Sequence, residues 1–259
     1  MAKRAGLVAM IIAATALLFL PARNSAAQST TVRIMSSDGV EPALTSLRSQ
    51  IEKSIARKLD VQASSSQNLV NRIKAGESFD VALLTTGTIE DLVKAGKIRP
   101  DSRVQLARAG VGVGIRAGAP KIDVSTPEAM KRALLNAKAI TFNSTGATTV
   151  IITKMFDSLG VTEAVKSKLL TSAVSGVAQQ NVIDGKADLI LILIPEVKGY
   201  PGLDYIGPLP GDFQTYINFV AGVSTDSSDP AAAKAAIHFF TTPVGADALR
   251  AKGMEPTVQ

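Results

Sequence analysis

The chain has no cysteine, no tryptophan and a single histidine, His238, among its 259 residues. The missing cysteine excludes thiol chemistry, zinc–thiolate sites and iron–sulfur clusters, and leaves stability to the core alone. One histidine cannot build a histidine-based metal site. His238 lies in "AAAKAAIHFFTT", an apparently helical segment beside two phenylalanines, where structural packing or surface placement is expected of it. Long apolar runs are also scarce: after residue 20 the strongest is "LILILIP" at 189–195, which is strand-sized. Basic residues form no run of five and carry no interleaved aromatics, so no nucleic-acid surface is expected.

The amino terminus is different. Lys3 and Arg4 precede "AGLVAMIIAATALLFL", and small polar residues follow in "PARNSAAQS". A basic start, an apolar middle and an A-x-A-like end read as a secretory signal peptide over residues 1–27, cleaved after Ala27. The apolar run is short for a bilayer span, which needs roughly 20 residues. Removing Lys3, Arg4 and Arg23 lowers the formal charge from +6 to +3, since no acid leaves with them. The expected location is periplasmic.

Past the leader, strand-like and helix-like stretches alternate. "TTVRIMSS" reads as a strand, "EPALTSLRSQIEKSIARKL" as a helix, "DVQAS" as a strand and "SQNLVNRIKAG" as a helix stopped by Gly76. "FDVALLTT" is nearly all apolar, as a strand buried on both faces should be. "TIEDLVKAGKI" is the next helix. "RVQLARAGVGVGIRAGAP" then reads as a long strand or hinge; its alternating glycines lack the spacing and the following helix of a dinucleotide fingerprint. A second alternation follows, through "TPEAMKRALLNA", "KAITFNS", "GATTVIITKMFDSLGV" and "VSGVAQQNVIDGKADLILILIPEV". "LDYIGPLPGDFQTYINFVAGVST" runs back as an extended segment before two closing helices. The fold class is therefore α/β, with two doubly wound lobes joined by two extended crossings. Lobe 1 is expected over 29–108 plus 219–259 and lobe 2 over 109–218.

In open α/β sheets ligands sit beyond the carboxyl ends of the strands. Four such ends are rich in hydroxyls or small residues: "MSSDG" at 35–39, "ASSSQ" at 63–67, "TTGT" at 85–88 and "NSTGATT" at 143–149. Each is followed shortly by a helix, so hydroxyls and free amides could hold an anion without a cationic side chain. Any one of them is also an ordinary cap or turn; their recurrence across both lobes points to a shared cleft. Asp38, Glu41 and Glu196 place carboxylates near the same space, where they could act as acid and base or repel an anion. Asp80 and Asp188 read as turn residues opening apolar strands, while Arg116 and Lys121 could add positive charge.

The succession "VRIMSSDGVEPAL", "VQASSSQNLVNRIKAGESFDVALLTT", "EDLVKAGKI", "NSTGATTVI", "GKADLILILI" and "FFTTPVGADALRAKGMEP" resembles the molybdate-binding periplasmic proteins of ABC importers, over nearly the whole chain past the leader. The resemblance implies a type II periplasmic-binding fold, a hinged trap closing on a small anion, delivery to an ABC permease, action as a monomer and no cofactor. It implies ligand contacts from Ser36 and Ser37, from Ser65 or Ser66, and from backbone amides near Gly146–Ala147 and Gly176–Val177. Where molybdate binders of that family carry a ligand tyrosine, this chain has Leu193, so the expected cargo is a molybdate-like oxyanion or a small organic acid. A solute-binding protein without catalysis is the expectation. The alternative is an enzyme on the same fold, dehydratase-like or hydrolase-like, using Asp38 or Glu41.

Overall fold

A computed structural model describes residues 31–257 except Ala147, so the expected leader and that one member of the candidate anion loop lie outside the described residues. The chain starts with strand β1 (Thr31–Ser37) and helix α1 (Glu41–Ile55), which buries Ala43, Leu44, Leu47 and Ile51 along one face. α1 is shorter than its apolar spacing suggests. Ala56 adopts a left-handed φ of 52° and ends the helix, and Leu59, expected as its last apolar residue, is buried in strand β2 (Lys58–Ser64) instead. Helix α2 (Ser66–Lys74), strand β3 (Val81–Thr85) and helix α3 (Thr86–Lys94) complete the first alternation.

Strand β4 (Val104–Arg116) is the first crossing. Its Val104–Gly110 part pairs with strand β9 (Tyr216–Val223), and from Val111 onwards it pairs with strands β7 (Leu189–Leu193) and β8 (Leu203–Pro208). The chain returns between β8 and β9. Gln214, on that return, clamps the crossing: its Oε1 accepts from the Val111 N–H and its Nε2 donates to the Val111 carbonyl, both at 2.9 Å. Gly110 makes the approach possible, because a Cβ there would lie 2.8 Å from the Gln214 amide nitrogen.

The second lobe holds helix α4 (Pro127–Asn136), strand β5 (Ile140–Asn143), helices α5 (Thr149–Ser158) and α6 (Thr162–Lys166), strand β6 (Leu169–Ser172), helix α7 (Val177–Ile183), β7, helix α8 (Ile194–Gly199) and β8. Helices α9 (Pro230–Phe239) and α10 (Pro243–Ala251) then return to the first lobe, where strand β10 (Glu255–Pro256) pairs with β4. The strand order is β2-β1-β3-β9-β4-β7-β5-β6, with β8 and β10 also on β4. β1 is parallel to β2 and β3, and β5 is parallel to β6 and β7. β9 runs antiparallel to β3 and β4, and β4 antiparallel to β7 and β8. The sheet is therefore mixed, because the crossing strands traverse both lobes against the direction of the βα units.

Each lobe is a sheet covered on both faces. In the first, Val32 and Ile34 pack with α1, α9 and α10, while Met35 packs with α2 and α3. In the second, Leu189 and Leu191 join one cluster and Ile190 and Ile192 the other, the two-residue period of a strand buried on both sides. Leu193 breaks from its own lobe. It belongs to the first lobe's core and lies against Gly39 and Phe219. α8 follows it across the boundary, with Gly199 so close to Pro42 that a Cβ would sit 2.3 Å from the proline ring. Thus α8, absent from the sequence expectation, buttresses one lobe against the other.

Candidate functional site

The carboxyl ends of β1, β2, β5 and β6 converge where the lobes meet. Ser37 and Ser64 are direct neighbours in the β1–β2 register, each the last residue of its strand. Two hydrogen bonds span the lobes here. Ser175 Oγ, on the β6–α7 turn, donates to Asp38 Oδ2 at 2.6 Å, and Asn68 Nδ2, on α2, donates to the Ala173 carbonyl at 3.4 Å.

The serines expected to hold an anion divide by their partners. Ser36 is fully buried inside β1 and its hydroxyl donates to the Ser37 carbonyl at 3.2 Å. Ser37 is nearly buried and its Oγ accepts from the Gly39 N–H at 3.4 Å, leaving the O–H to donate. Ser65 is the N-cap of α2, accepting from the Asn68 N–H at 3.3 Å. Ser66 Oγ accepts from the Thr85 N–H at 3.2 Å and so pins α2 to the end of β3. The triple serine is thus a cap, a pin and, in Ser64, a partner of the Asn68 amide. On the second lobe, Gly146 lies over Asn143, and Val177 begins α7 with its N–H donating to the Val174 carbonyl at 3.3 Å. Gly176, just before it, takes φ of 83°.

The unexpected part of the site is acidic and amidic. Glu196, in the first turn of α8, is 7% exposed. Burial, and after it the charge of Asp38, pushes its carboxyl up to about 8, so Glu196 is mostly protonated at neutral pH. Asp38 is also raised: burial dominates, the Ser175 hydrogen bond pulls the other way, and Glu41 adds a smaller push upward. Gln179, on α7, donates from Nε2 to Glu196 Oε2 at 3.4 Å, while its own Oε1 is buried without a partner. Asn143 Oδ1, at the end of β5, is buried and unpartnered too. Buried polar atoms left unsatisfied are uncommon in native proteins and mark a place where another group is expected. The sequence singles out Glu196 and Asp38, includes Asn143 only as the first residue of the "NSTGATT" strand end, and does not single out Gln179. The signal available for Asn143 was its place at the strand end of "TFNSTG"; Gln179 carried none.

Other candidate residues lie elsewhere. Asp80 accepts from the Arg33 N–H at 2.8 Å and from Ser227 Oγ at 2.7 Å, and Asp188 accepts from the Lys138 N–H, both at the amino ends of strands. Arg116 lines a cavity of about 870 Å³ between β4, α4 and α7 on the far side of the second lobe, away from the strand ends that bear Asp38 and Glu196. Lys121 is exposed. His238 is exposed, with Thr241 Oγ1 3.1 Å from its Nδ1. Among the described residues no helix is long and apolar enough to cross a membrane.

Two α/β lobes joined by crossing strands, with loops converging between them, define a type II periplasmic-binding architecture. The chain belongs to the bacterial extracellular solute-binding protein family, whose model it matches over residues 32–255. It is 27% identical to the aconitate isomerase of a Pseudomonas species over 255 residues, covering 96% of this chain and 94% of that protein. It is 26% identical to the molybdate-binding protein ModA of Azotobacter vinelandii over 236 residues, covering 88% and 91%. The solved periplasmic molybdate-binding protein of Azotobacter vinelandii superposes with a TM-score of 0.74 at 17% identity, covering 86% of this chain and 98% of that one.

Proposed function

We propose that this chain is an exported, periplasmic solute-binding protein whose interlobe cleft captures a small organic acid with several carboxyl groups. We further propose that it acts as a monomer and hands that acid to an ABC permease. The observation that carries the choice of ligand is the acidic lining where the lobes meet, Asp38 together with a Glu196 hydrogen-bonded by Gln179, with the buried oxygens of Gln179 and, at the end of β5, Asn143 left unpartnered. A fully ionised metal oxyanion offers only acceptors and would face two acids and two unsatisfied acceptor oxygens. An organic acid differs in two ways: a hydroxyl can serve as donor, or burial beside Asp38 can keep one of its carboxyls protonated as it does for Glu196, while its remaining carboxylates accept from the Glu196 O–H and the Ser37 hydroxyl. Leu193 supports the same reading, because its side chain is committed to the first lobe's core rather than to a ligand. The full-length relative named for aconitate, an unsaturated tricarboxylic acid, agrees in ligand class.

Closure follows from ligand contacts drawn from both lobes, since only a ligand that binds the closed form better shifts the population towards it. Thermal melting against cis-aconitate, trans-aconitate, citrate, molybdate, tungstate and sulfate tests the reading. A ligand at 100 times its Kd stabilises by about 2.7 kcal/mol. Stabilisation by tri- or dicarboxylates alone supports the proposal; stabilisation by molybdate or tungstate alone overturns it.

A further inference from the structure

The acids of the cleft differ in setting. Glu196 is buried on α8 in the second lobe, with Gln179 as its hydrogen-bond partner. Asp38 comes from the first lobe, is only partly buried, and is held by Ser175 across the boundary. Such a difference lets one carboxyl keep its proton while the other gives its proton up, the arrangement that general acid–base chemistry needs. The unpartnered Gln179 and Asn143 oxygens are the independent sign that a ligand belongs beside them. Simple capture of an anion gains nothing from a carboxylate facing it.

We propose that Asp38 and Glu196 form an acid–base pair that moves a proton between two carbons of a bound unsaturated carboxylic acid, so that the cleft isomerises its ligand. The inference rests on the cleft binding a carboxylic acid, as argued above. The Asp38 carboxylate takes a proton from the CH2 group adjoining both a carboxylate and the double bond. The electron pair of that C–H bond forms a new double bond to the central carbon. The former double-bond pair takes the Glu196 proton to make a C–H bond at the far carbon. Asp38 ends protonated and Glu196 ionised, and exchange with water restores both. No oxidant, metal or added co-reactant is consumed, and a three-carbon shift of this kind interconverts the geometric isomers of the acid. Ser175 is a positioning residue, fixing the Asp38 carboxylate where the lobes meet.

The test is proton NMR of cis-aconitate in heavy water with the full mature chain, reading deuterium uptake at the CH2 and vinyl positions and appearance of the trans isomer. Glu196→Gln and Asp38→Asn preserve shape, and the asparagine still offers an oxygen to Ser175. Both are expected to slow exchange about 100-fold or more, the usual span for losing a general acid or base, read at saturating cis-aconitate so that weakened binding does not stand in for lost proton transfer. A wild-type chain whose melting responds to the acid but which exchanges no carbon-bound proton overturns the pair and leaves the binding reading standing. Exchange undiminished in both variants also overturns it. A wild-type chain that responds to no carboxylic acid overturns both.

Discussion

Replacing Glu196 by glutamine removes a proton-binding group without removing its volume or its hydrogen bond to Gln179, so stability against pH isolates what burial does to that carboxyl. Its ordinary value of 4.5 rises to about 8 in the folded chain. A raised acid binds its proton in the folded state at pH values where the unfolded chain has already lost it. Stability from this group is therefore fully present below pH 4.5 and falls as pH rises towards 8. Integrating one such group between pH 5 and 7.5 gives a loss of about 3 kcal/mol in the wild type that the glutamine variant does not suffer. The free-energy difference between Glu196→Gln and wild type should grow by that amount across the interval, in the variant's favour. Asp38 is raised in the same direction, but it is present in both chains and largely cancels. The groups around α8 are Asp38 from the first lobe, itself influenced by Glu41, and Gln179, Lys198 and Tyr205 from the second; Lys198 is exposed and lies 5.4 Å from the Tyr205 ring centre. Urea unfolding of both chains at pH 5, 6 and 7.5 measures the difference. A gap independent of pH, or one that shrinks as pH rises, would refute the claim that Glu196 is buried with its proton.

Three further outcomes follow from the contacts between and within the lobes. Ser175→Ala removes the hydrogen bond to Asp38, worth about 1.5–3 kcal/mol for a charged partner, so small-angle scattering of the unliganded variant should show a larger radius of gyration; an unchanged radius counts against Ser175 holding the lobes together. Gln214→Ala leaves the Val111 N–H and carbonyl at the crossing without their clamp, and hydrogen exchange at Val111 should accelerate while amides in the centre of β5 keep their protection. Ser65→Ala loses the α2 cap and should cost about 1 kcal/mol; because that hydroxyl is already engaged, calorimetric affinity for the ligand should change by less than threefold, and a larger loss would return Ser65 to the ligand shell.

The two-lobe plan was legible because strands buried on both faces read as apolar runs and glycines stop the helices between them. "FDVALLTT" and "LILILIP" are such strands, and Gly76, Gly96 and Gly185 take left-handed φ values after helices, as expected of stops. What escaped the pattern was set by contacts distant in sequence. α1 ends at Ile55 because Leu59 is wanted in the sheet, and no local signal distinguishes Leu59 from the helical residues before it. α8 starts with a proline directly after an apolar strand, and its short length hides its period; its role comes from Gly199 against Pro42. The site was read from its hydroxyls, since serine before a helix is a visible motif. The structure gives most of those hydroxyls local partners and leaves Asn143 and Gln179 with atoms to spare. An unsatisfied atom is a property of packing, and sequence spacing does not display it.

The cleft is proposed to take a carboxylic acid rather than a metal oxyanion. Isothermal titration calorimetry of the chain from residue 29 onwards with cis-aconitate, trans-aconitate and molybdate at pH 7 tests it most directly. One site per chain is expected for at least one of the two acids, with no heat of binding from molybdate. Saturable one-to-one binding of molybdate, with neither acid giving a signal, would contradict it.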